Sequence, residues 1–215
     1  MPSLLHLSGT ELQDAVNASR FDDRSSRGFY ESYFVRANHA TKAQAFWIRY
    51  TIFGPAGHLE DTEGQLWAIF LDGSSSTQIA VKQSLPWEAC SFSRTGLRAR
   101  IGESTLDRAG LAGTASDGAN RISWNLAYAG DESPAFLLPR SFYGRSFPRA
   151  KALTGIPLAD FHGTIHVNDN VFEVDNWRGS QNHNWGVRHT DRYAWGQVGS
   201  LNSTTTILRE GVDSA

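Results

Sequence analysis

The side chains best suited to chemistry are concentrated near the C-terminal end of the sequence. Residues 175–197 read DNWRGSQNHNWGVRHTDRYAWGQ and mix indole rings with amides, imidazoles, guanidinium groups and carboxylates. Such a mixture suits a ligand that is apolar at one end and hydrogen-bonded at the other. It equally suits the rim of a barrel whose indoles cover the core, so both interpretations stay open. The rings and amides expected to contact a ligand are Trp177, Asn182, Asn184, Trp185, Tyr193 and Trp195.

His183 is the candidate acid or base of this segment. Its imidazole titrates near neutral pH, so it can give a proton to a substrate or take one from it. Asp175 or Glu31 would then be the supporting carboxylate. The competing interpretation is structural, with ring hydrogen bonds that fix a turn, and a lone histidine more often has that role.

Two further charged residues, Glu31 and Arg49, lie within strongly apolar stretches. They either point into a cavity and pair with each other, or face the solvent. The alternation of apolar and polar residues in these stretches is too irregular to decide between the two. We include Arg49 and its neighbour Trp47 among the ligand contacts.

Metal and cofactor sites have little support in the sequence. His162 and His166 are four residues apart, which on a strand places them on one face but well separated. A three-histidine site with His183 or His189 is conceivable, yet no spacing selects it, so we predict no metal. The sequence contains no G-x-S-x-G elbow, dinucleotide fingerprint or Walker loop, and Cys90 has no nucleophile signature. We therefore predict no cofactor.

The elements that must position these groups are mainly short strands. Aromatic and β-branched residues dominate 29–35 and 45–53, and a short polar connection between them predicts an antiparallel pair. Strict alternation over 122–128 predicts a half-buried strand, and Asn168-Asp169-Asn170 predicts a hairpin turn between 164–167 and 171–177. Further strands are predicted at 65–71, 78–83 and 193–198, with short ones between Gly96 and Gly118.

The other segments read differently. Residues 8–20 predict a short helix, with Thr10 and Gln13 at the spacing of a capping box. Four prolines make 130–160 look irregular. Many short strands with frequent turns predict an all-β, antiparallel barrel with a short N-terminal helix. We divide the chain into a helix and lead-in at 1–27, the barrel at 28–199 and a loosely ordered tail at 200–215.

Composition narrows the class of protein. A length of 215 residues suits one β-rich domain, and a formal charge of −2 argues against a general nucleic-acid surface. Cys90 is the only cysteine, so no internal disulfide can form. The N-terminus has no secretory pattern and no segment is long and apolar enough to span a bilayer, so we expect a cytoplasmic protein.

The segment from Trp177 to Gly186, WRGSQNHNWG, resembles the H-N-W-G motif of the superfamily of carotenoid 1,2-hydratase (hydroxyneurosporene synthase) and tocopherol cyclase. Tyr193-Ala194-Trp195-Gly196 is similar to the aromatic strand that follows this motif, and 46–51 and 64–68 resemble early strands of bacterial members. The resemblance implies a lipocalin-like barrel, a terpenoid or polyene ligand, and hydration or cyclisation of an alkene without metal or nucleotide. Asn182 stands where some catalytic relatives have an acidic residue, and an amide cannot donate a proton in that way.

Three functions follow as expectations. The first is a barrel that binds an apolar, terpenoid or polyene small molecule in its cavity, with hydratase, cyclase or isomerase chemistry as an extension. The second is a non-catalytic carrier or sensor of a lipophilic ligand. The third is an incomplete half of a two-barrel protein, because relatives continue into a second barrel-like half. A second barrel domain or a further copy of this chain would then be the protein partner.

Overall fold

The fold was analysed in a computed structural model. The structure describes residues 4–22, 27–75, 77–130 and 133–187, together with the backbone of 194–195 and 210–211. The predicted ligand contact Tyr193 lies outside the described residues, as does the side chain of Trp195 and most of the predicted tail.

One helix precedes a succession of strands. The helix is α1 (Gly9–Asn17), and the strands are β1 (Phe29–Asn38), β2 (Gln44–Gly54), β3 (Glu63–Asp72), β4 (Thr77–Pro86), β5 (Cys90–Phe92), β6 (Arg98–Ile101), β7 (Ser104–Asp107), β8 (Gly110–Ser116), β9 (Arg121–Gly130), β10 (Ala135–Phe136), β11 (Ala150–Val167), β12 (Asn170–Gly186), β13 (Ala194–Trp195) and β14 (Glu210–Gly211). Short 3-10 turns lie at Leu59–Asp61, Trp87–Ala89 and Arg140–Phe142. No helix in the described ranges is long and apolar enough to cross a membrane.

The strands form one antiparallel sheet that curls into a nearly closed barrel. Its order is β4-β3-β2-β1-β12-β11-β9-β8-β7-β6-β5, and β10 adds to β11 off this path. The two ends of this order, β4 and β5, are joined in the chain by the turn at Trp87–Ala89. A separate two-stranded pair joins β13 to β14. The predicted fold class, an antiparallel barrel with a short N-terminal helix, is confirmed.

Alternation of side chains fills the barrel interior. In β9, Ile122, Trp124, Leu126 and Tyr128 are buried while most of their neighbours are exposed or half-buried, as the sequence predicted. Large rings meet in the centre, where Phe161 lies 5.1 Å from Tyr128 and 5.4 Å from Phe46, centroid to centroid. The interior is therefore packed with aromatic side chains along much of its length.

The strands at 29–35, 45–53, 65–71 and 78–83 were predicted correctly in kind and position. The hairpin turn was also correct, and Asn168 there adopts a left-handed φ of 52°. The irregular segment at 130–160 was wrong in its second part, because β11 begins at Ala150 and includes Pro157. Register shifts after Thr154 and Ile156 absorb the proline and let the long strand bend around the barrel.

Helix α1 covers one end of the barrel. Leu12 and Val16 pack with Leu153, Tyr143 and Trp185 in a second apolar cluster. The predicted capping box of Thr10 and Gln13 is wrong, because α1 begins at Gly9 and Thr10 therefore lies inside the helix, while the N-cap residue Ser8 makes no side-chain cap hydrogen bond. The Gln13 side chain is instead buried, and its Nε2 donates to the carbonyl of Gly155 in β11 at 2.7 Å.

Candidate functional site

The H-N-W-G segment lies in the middle of the sheet, within β12, rather than in a turn. It pairs with β1 on one side and with β11 on the other. Successive side chains of a strand point to opposite faces. His183 and Trp185 therefore point to the inner face, towards α1, whereas Asn182 and Asn184 point outward.

On the inner face, His183 meets Glu31. The two residues come from strands paired so that His183 lies opposite Tyr33, two positions from Glu31. His183 Nε2 lies 2.8 Å from Glu31 Oε1, and Nδ1 lies 2.7 Å from the carbonyl oxygen of Val16 in α1. Both side chains have an exposed fraction of 0%. The structure thus brings together two of the three predicted catalytic residues.

The Glu31 carboxylate receives four further hydrogen bonds. Tyr33 Oη donates to Oε1 at 3.0 Å, and Ser19 Oγ donates to Oε2 at 2.8 Å. The backbone N–H groups of Arg20 and Phe21 also donate to this carboxylate, at 2.9 Å and 3.1 Å. These donors fill the hydrogen-bonding capacity of the buried carboxyl oxygens.

The pair holds one proton between its two members. Nδ1 of His183 must carry a proton to bond to the Val16 carbonyl, so Nε2 and Oε1 share the other. Burial lowers the pKa of His183 below its usual value, while the hydrogen bond to Glu31 opposes that shift. Burial likewise raises the pKa of the neighbouring Tyr33 phenol well above its usual value, so Tyr33 stays a hydrogen-bond donor.

Packing seals this pair from solvent. The Tyr33 ring stacks on the His183 ring with 4.2 Å between ring centres. The centre of the Trp185 ring lies 4.6 Å from that of His183, and the two ring planes are inclined by 34°. The Arg20 guanidinium lies 5.1 Å from the centre of the Trp185 ring. The pair is therefore closed to solvent, with α1 and the lead-in at 19–21 in direct contact with it.

On the opposite side of the same strands, a polar cluster forms that we call the outer polar face. Arg49 Nη2 donates to Ser32 Oγ at 2.5 Å, and Ser32 Oγ lies 3.1 Å from Thr51 Oγ1. Thr154 Oγ1 donates to Asn182 Oδ1 at 3.1 Å. Asn184 lies opposite Ser32 and Ala152 and is half-buried. The outer polar face comprises Ser32, Arg49, Thr51, Thr154, Ser180, Asn182 and Asn184.

Half-buried rings border the outer polar face. Trp47 lies 5.9 Å from Phe34 between ring centres, and the Arg49 guanidinium lies 5.8 Å from the Trp47 ring. Trp67 in β3 stands opposite Arg49 in the register, and Lys82 Nζ lies 5.1 Å from the Trp67 ring. Rings beside hydroxyls, amides and a guanidinium are the composition of a small-molecule site.

The two faces separate the predicted ligand contacts. Arg49, Trp47, Asn182 and Asn184 belong to or border the outer polar face. Trp185 lies on the inner face with His183. The suggested pairing of Glu31 with Arg49 is therefore not realised, because Glu31 points inward and Arg49 outward.

Two predicted residues lie away from both groups. Asp175 is exposed and lies 3.4 Å from His162, eight residues along β12 from His183, and so does not support that ring. Trp177 is buried in the main core, with its ring 5.9 Å from Phe46.

Sequence reasoning missed several members of both groups. Ser32, Tyr33 and Thr51 stand beside the residues that it did select, within the same apolar strands. A polar residue inside an apolar strand is the sequence feature that could have identified them. This feature was used for the charged residues Glu31 and Arg49 but not for the uncharged polar ones. Ser19 and Arg20 carried no signal of this kind, because they lie in a polar lead-in.

Among the described residues, His162, His166 and His183 do not form a group of possible metal ligands, and His189 lies outside these residues. Within the described part of the chain, the group whose ligand atoms come close enough for a shared ion is His58, Glu60 and Asp61. These residues are exposed and belong to the turn before β3.

Comparisons with known proteins support the fold and leave the family open. No protein-family model matches the chain. An uncharacterised protein of Mycobacterium tuberculosis, from strains CDC 1551 / Oshkosh and ATCC 25618 / H37Rv, is 28% identical over 74 residues, which are 34% of this chain and 22% of that protein. The chain thus spans well under half the length of the curated relatives it matches.

Among solved structures, a protein from Nitrosomonas europaea with a provisional AttH designation aligns with a TM-score of 0.58 and 10% identity. The alignment covers 91% of this chain and 61% of that one. Likeness at this identity shows the barrel fold alone, which is compatible with binding of a small molecule.

Proposed function

We propose that this protein is a binding barrel for a mainly apolar small molecule, held at the outer polar face. The polar end of the ligand would meet Arg49 and Asn184, the half-buried members of this face, and its apolar body would lie against the half-buried rings of Trp47, Phe34 and Trp67. The terpenoid or polyene class of the ligand rests on the resemblance of the H-N-W-G segment alone.

One observation carries this proposal. Asn184 Oδ1 is buried from water and accepts no hydrogen bond within the part of the chain that the structure describes. A buried amide oxygen without a donor is costly, by about 1–3 kcal/mol. It lies in the row of Ser32 and Thr51, beside the half-buried rings, where a ligand hydroxyl would donate to it.

The geometry favours a carrier or sensor over an enzyme. The acid–base pair of His183 and Glu31 is fully buried, and every polar atom of the pair already has a partner. The catalytic alternative, a hydratase, cyclase or isomerase, is favoured by the proton shared between these residues. It requires the ligand to enter beneath α1 rather than on the outer polar face.

Thermal unfolding with a panel of polyenes, terpenoids and fatty acids tests the proposal. A ligand that binds only the folded chain raises the midpoint of unfolding. Asn184→Ala should weaken binding of an active ligand by about tenfold, the value of one hydrogen bond. Asn125→Ala removes an exposed amide elsewhere on the barrel and should leave binding unchanged.

Other outcomes would count against this assignment. If no class of ligand moves the midpoint, or if both variants bind as the parent does, the outer polar face is not the site. Turnover of a bound ligand that His183→Ala abolishes while α1 stays folded would establish the catalytic alternative instead.

A further inference from the structure

The loop between β10 and β11 presents apolar side chains to solvent at the end of the barrel that α1 covers. Residues 136–149 read FLLPRSFYGRSFPR. Phe147 is 72% exposed and Leu137 is 56% exposed. Side chains this large and apolar are seldom presented together on one short loop without a partner.

Hydrogen bonds brace this loop in its conformation. Tyr143 Oη accepts from the backbone N–H groups of Leu137 and Leu138, and it donates to the carbonyl of Ala152 at 2.8 Å. The Lys151 ammonium donates to the carbonyls of Arg145 and Pro148, both at 2.8 Å. Leu137 and Phe147 are therefore held outward by a structured loop.

Positive charge surrounds the exposed apolar residues. Arg140, Arg145 and Arg149 lie in the loop, and no Asp or Glu occurs between positions 133 and 159. The whole chain carries a formal charge of −2, so the loop differs in sign from the chain as a whole. Asp131 and Glu132 precede the loop and lie outside the described residues.

The arginines also lie along aromatic rings. The Arg140 guanidinium is 4.8 Å from the centre of the Phe136 ring, and that of Arg145 is 5.3 Å from the Phe142 ring. A cation that stays at the surface while its stem covers apolar area suits the boundary between lipid headgroups and acyl chains.

We propose that the loop at 136–149 docks this protein onto an anionic lipid bilayer. Phe147 and Leu137 enter the headgroup region, and the three arginines meet lipid phosphates and carboxylates. Charge complementarity selects a bilayer over a second copy of this chain, because a second copy would bring the same arginines together. The inference is independent of the ligand proposed above and concerns a different end of the barrel.

Co-sedimentation with vesicles tests this docking. The probes are phosphatidylcholine vesicles with roughly one third phosphatidylserine, and vesicles of phosphatidylcholine alone. The parent protein should sediment with the anionic vesicles at low salt and be released as the salt rises. The double variant L137S/F147S, and separately R145Q/R149Q, should each lower the binding constant by about tenfold or more.

Val171→Ser supplies the matched control. Val171 has the same 56% exposure as Leu137 but lies in the β11–β12 hairpin, away from the loop. This control should bind as the parent does, and all variants should keep the parent's unfolding midpoint because the changed side chains are exposed. Absence of binding to anionic vesicles would overturn the proposal, as would equal binding to phosphatidylcholine alone or an equal loss with Val171→Ser. A concentration-dependent dimer that L137S/F147S abolishes, without vesicle binding, would assign the loop to self-association instead.

Discussion

The Glu31 carboxylate joins three parts of the molecule that are distant in sequence. Ser19, Arg20 and Phe21 of the lead-in donate to it, as do Tyr33 of its own strand and His183 of β12. A buried charge is tolerated only when its hydrogen-bonding capacity is filled. Glu31 therefore fixes the N-terminal segment to the barrel whether or not the pair with His183 has a chemical role.

Replacing Glu31 with Gln should destabilise the fold strongly. The amide removes the charge and turns one acceptor into a donor that faces other donors, at an expected cost of about 3–5 kcal/mol. Urea unfolding with an unchanged m-value would measure this loss. Glu173→Gln, at an exposed position, should change stability by less than about 0.5 kcal/mol. A Glu31→Gln protein as stable as the parent would show that the carboxylate does not hold the lead-in.

The sequence identified Glu31 and His183 separately but could not pair them. They are 152 residues apart, and only the register between β1 and β12 brings them together. The suggested Glu31–Arg49 pair fails because the two side chains point to opposite faces of the sheet. Glu31 lies opposite Ile52, whereas Arg49 lies opposite Phe34, three positions further along β1. Side-chain parity can be applied only when the register of paired strands is known.

At the scale of elements, strands with a regular pattern were predictable and the bulged one was not. β9 alternates without interruption, and β1 and β2 are dense in rings, so local residues determine their character. β11 contains Gly155 and Pro157, which locally favour turns, yet pairing with β12 imposes an extended path. Tertiary contacts outweighed local preference there, and no single sequence displays those contacts.

Gly155 shows how closely α1 approaches β11. A Cβ at this position would lie 2.1 Å from Gln181 Oε1 and 3.0 Å from Asn17 Nδ2. Gln181 is fully buried and donates to Asn17 Oδ1 and to the Asn182 carbonyl, so it has little room to move. The absence of a side chain at Gly155 is thus a condition for docking of the helix.

Gly155→Ala should loosen α1 from the barrel. The added methyl forces Gln181 or the helix to shift, at an expected cost of about 1–3 kcal/mol for overpacking. Hydrogen exchange of the α1 amides should rise more than exchange in β9. Gly144→Ala is the matched control, because a Cβ there meets nothing within 4 Å. Equal protection of α1 in both variants would contradict this account of docking.

At the scale of the whole molecule, buried phenols are distributed through the barrel. Burial raises the pKa of Tyr33, Tyr50 and Tyr128 above the ordinary value. Each of their hydroxyls donates a hydrogen bond, to Glu31, to the Thr105 carbonyl and to the Asp107 carbonyl respectively. The folded state therefore keeps these phenols protonated at a pH where the unfolded chain releases the protons.

This difference predicts alkaline unfolding. Because the folded pKa values are raised, the stabilisation is complete below the unfolded tyrosine pKa of about 10 and is lost as the pH rises above it. With three such phenols, the free energy of unfolding should fall by about 4 kcal/mol per pH unit well above pH 10. Phenolate absorbance should rise together with the loss of β-sheet circular dichroism. Tyr128→Phe should make the slope shallower by one third, and phenolate formation in a still folded barrel would contradict the prediction.

The sheet order has a consequence for synthesis on the ribosome. β1 pairs with β2 on one edge and with β12 on the other, where Tyr30 lies opposite Gly186. The second edge of β1 therefore stays uncovered until β12 has been made. A nascent chain that already contains the strands from β1 to β9 still presents that edge, rich in aromatic residues, to other polypeptides. Translation of 170–186 is the step that covers it, and a chaperone that shields an open strand edge would be most useful to this protein just before then.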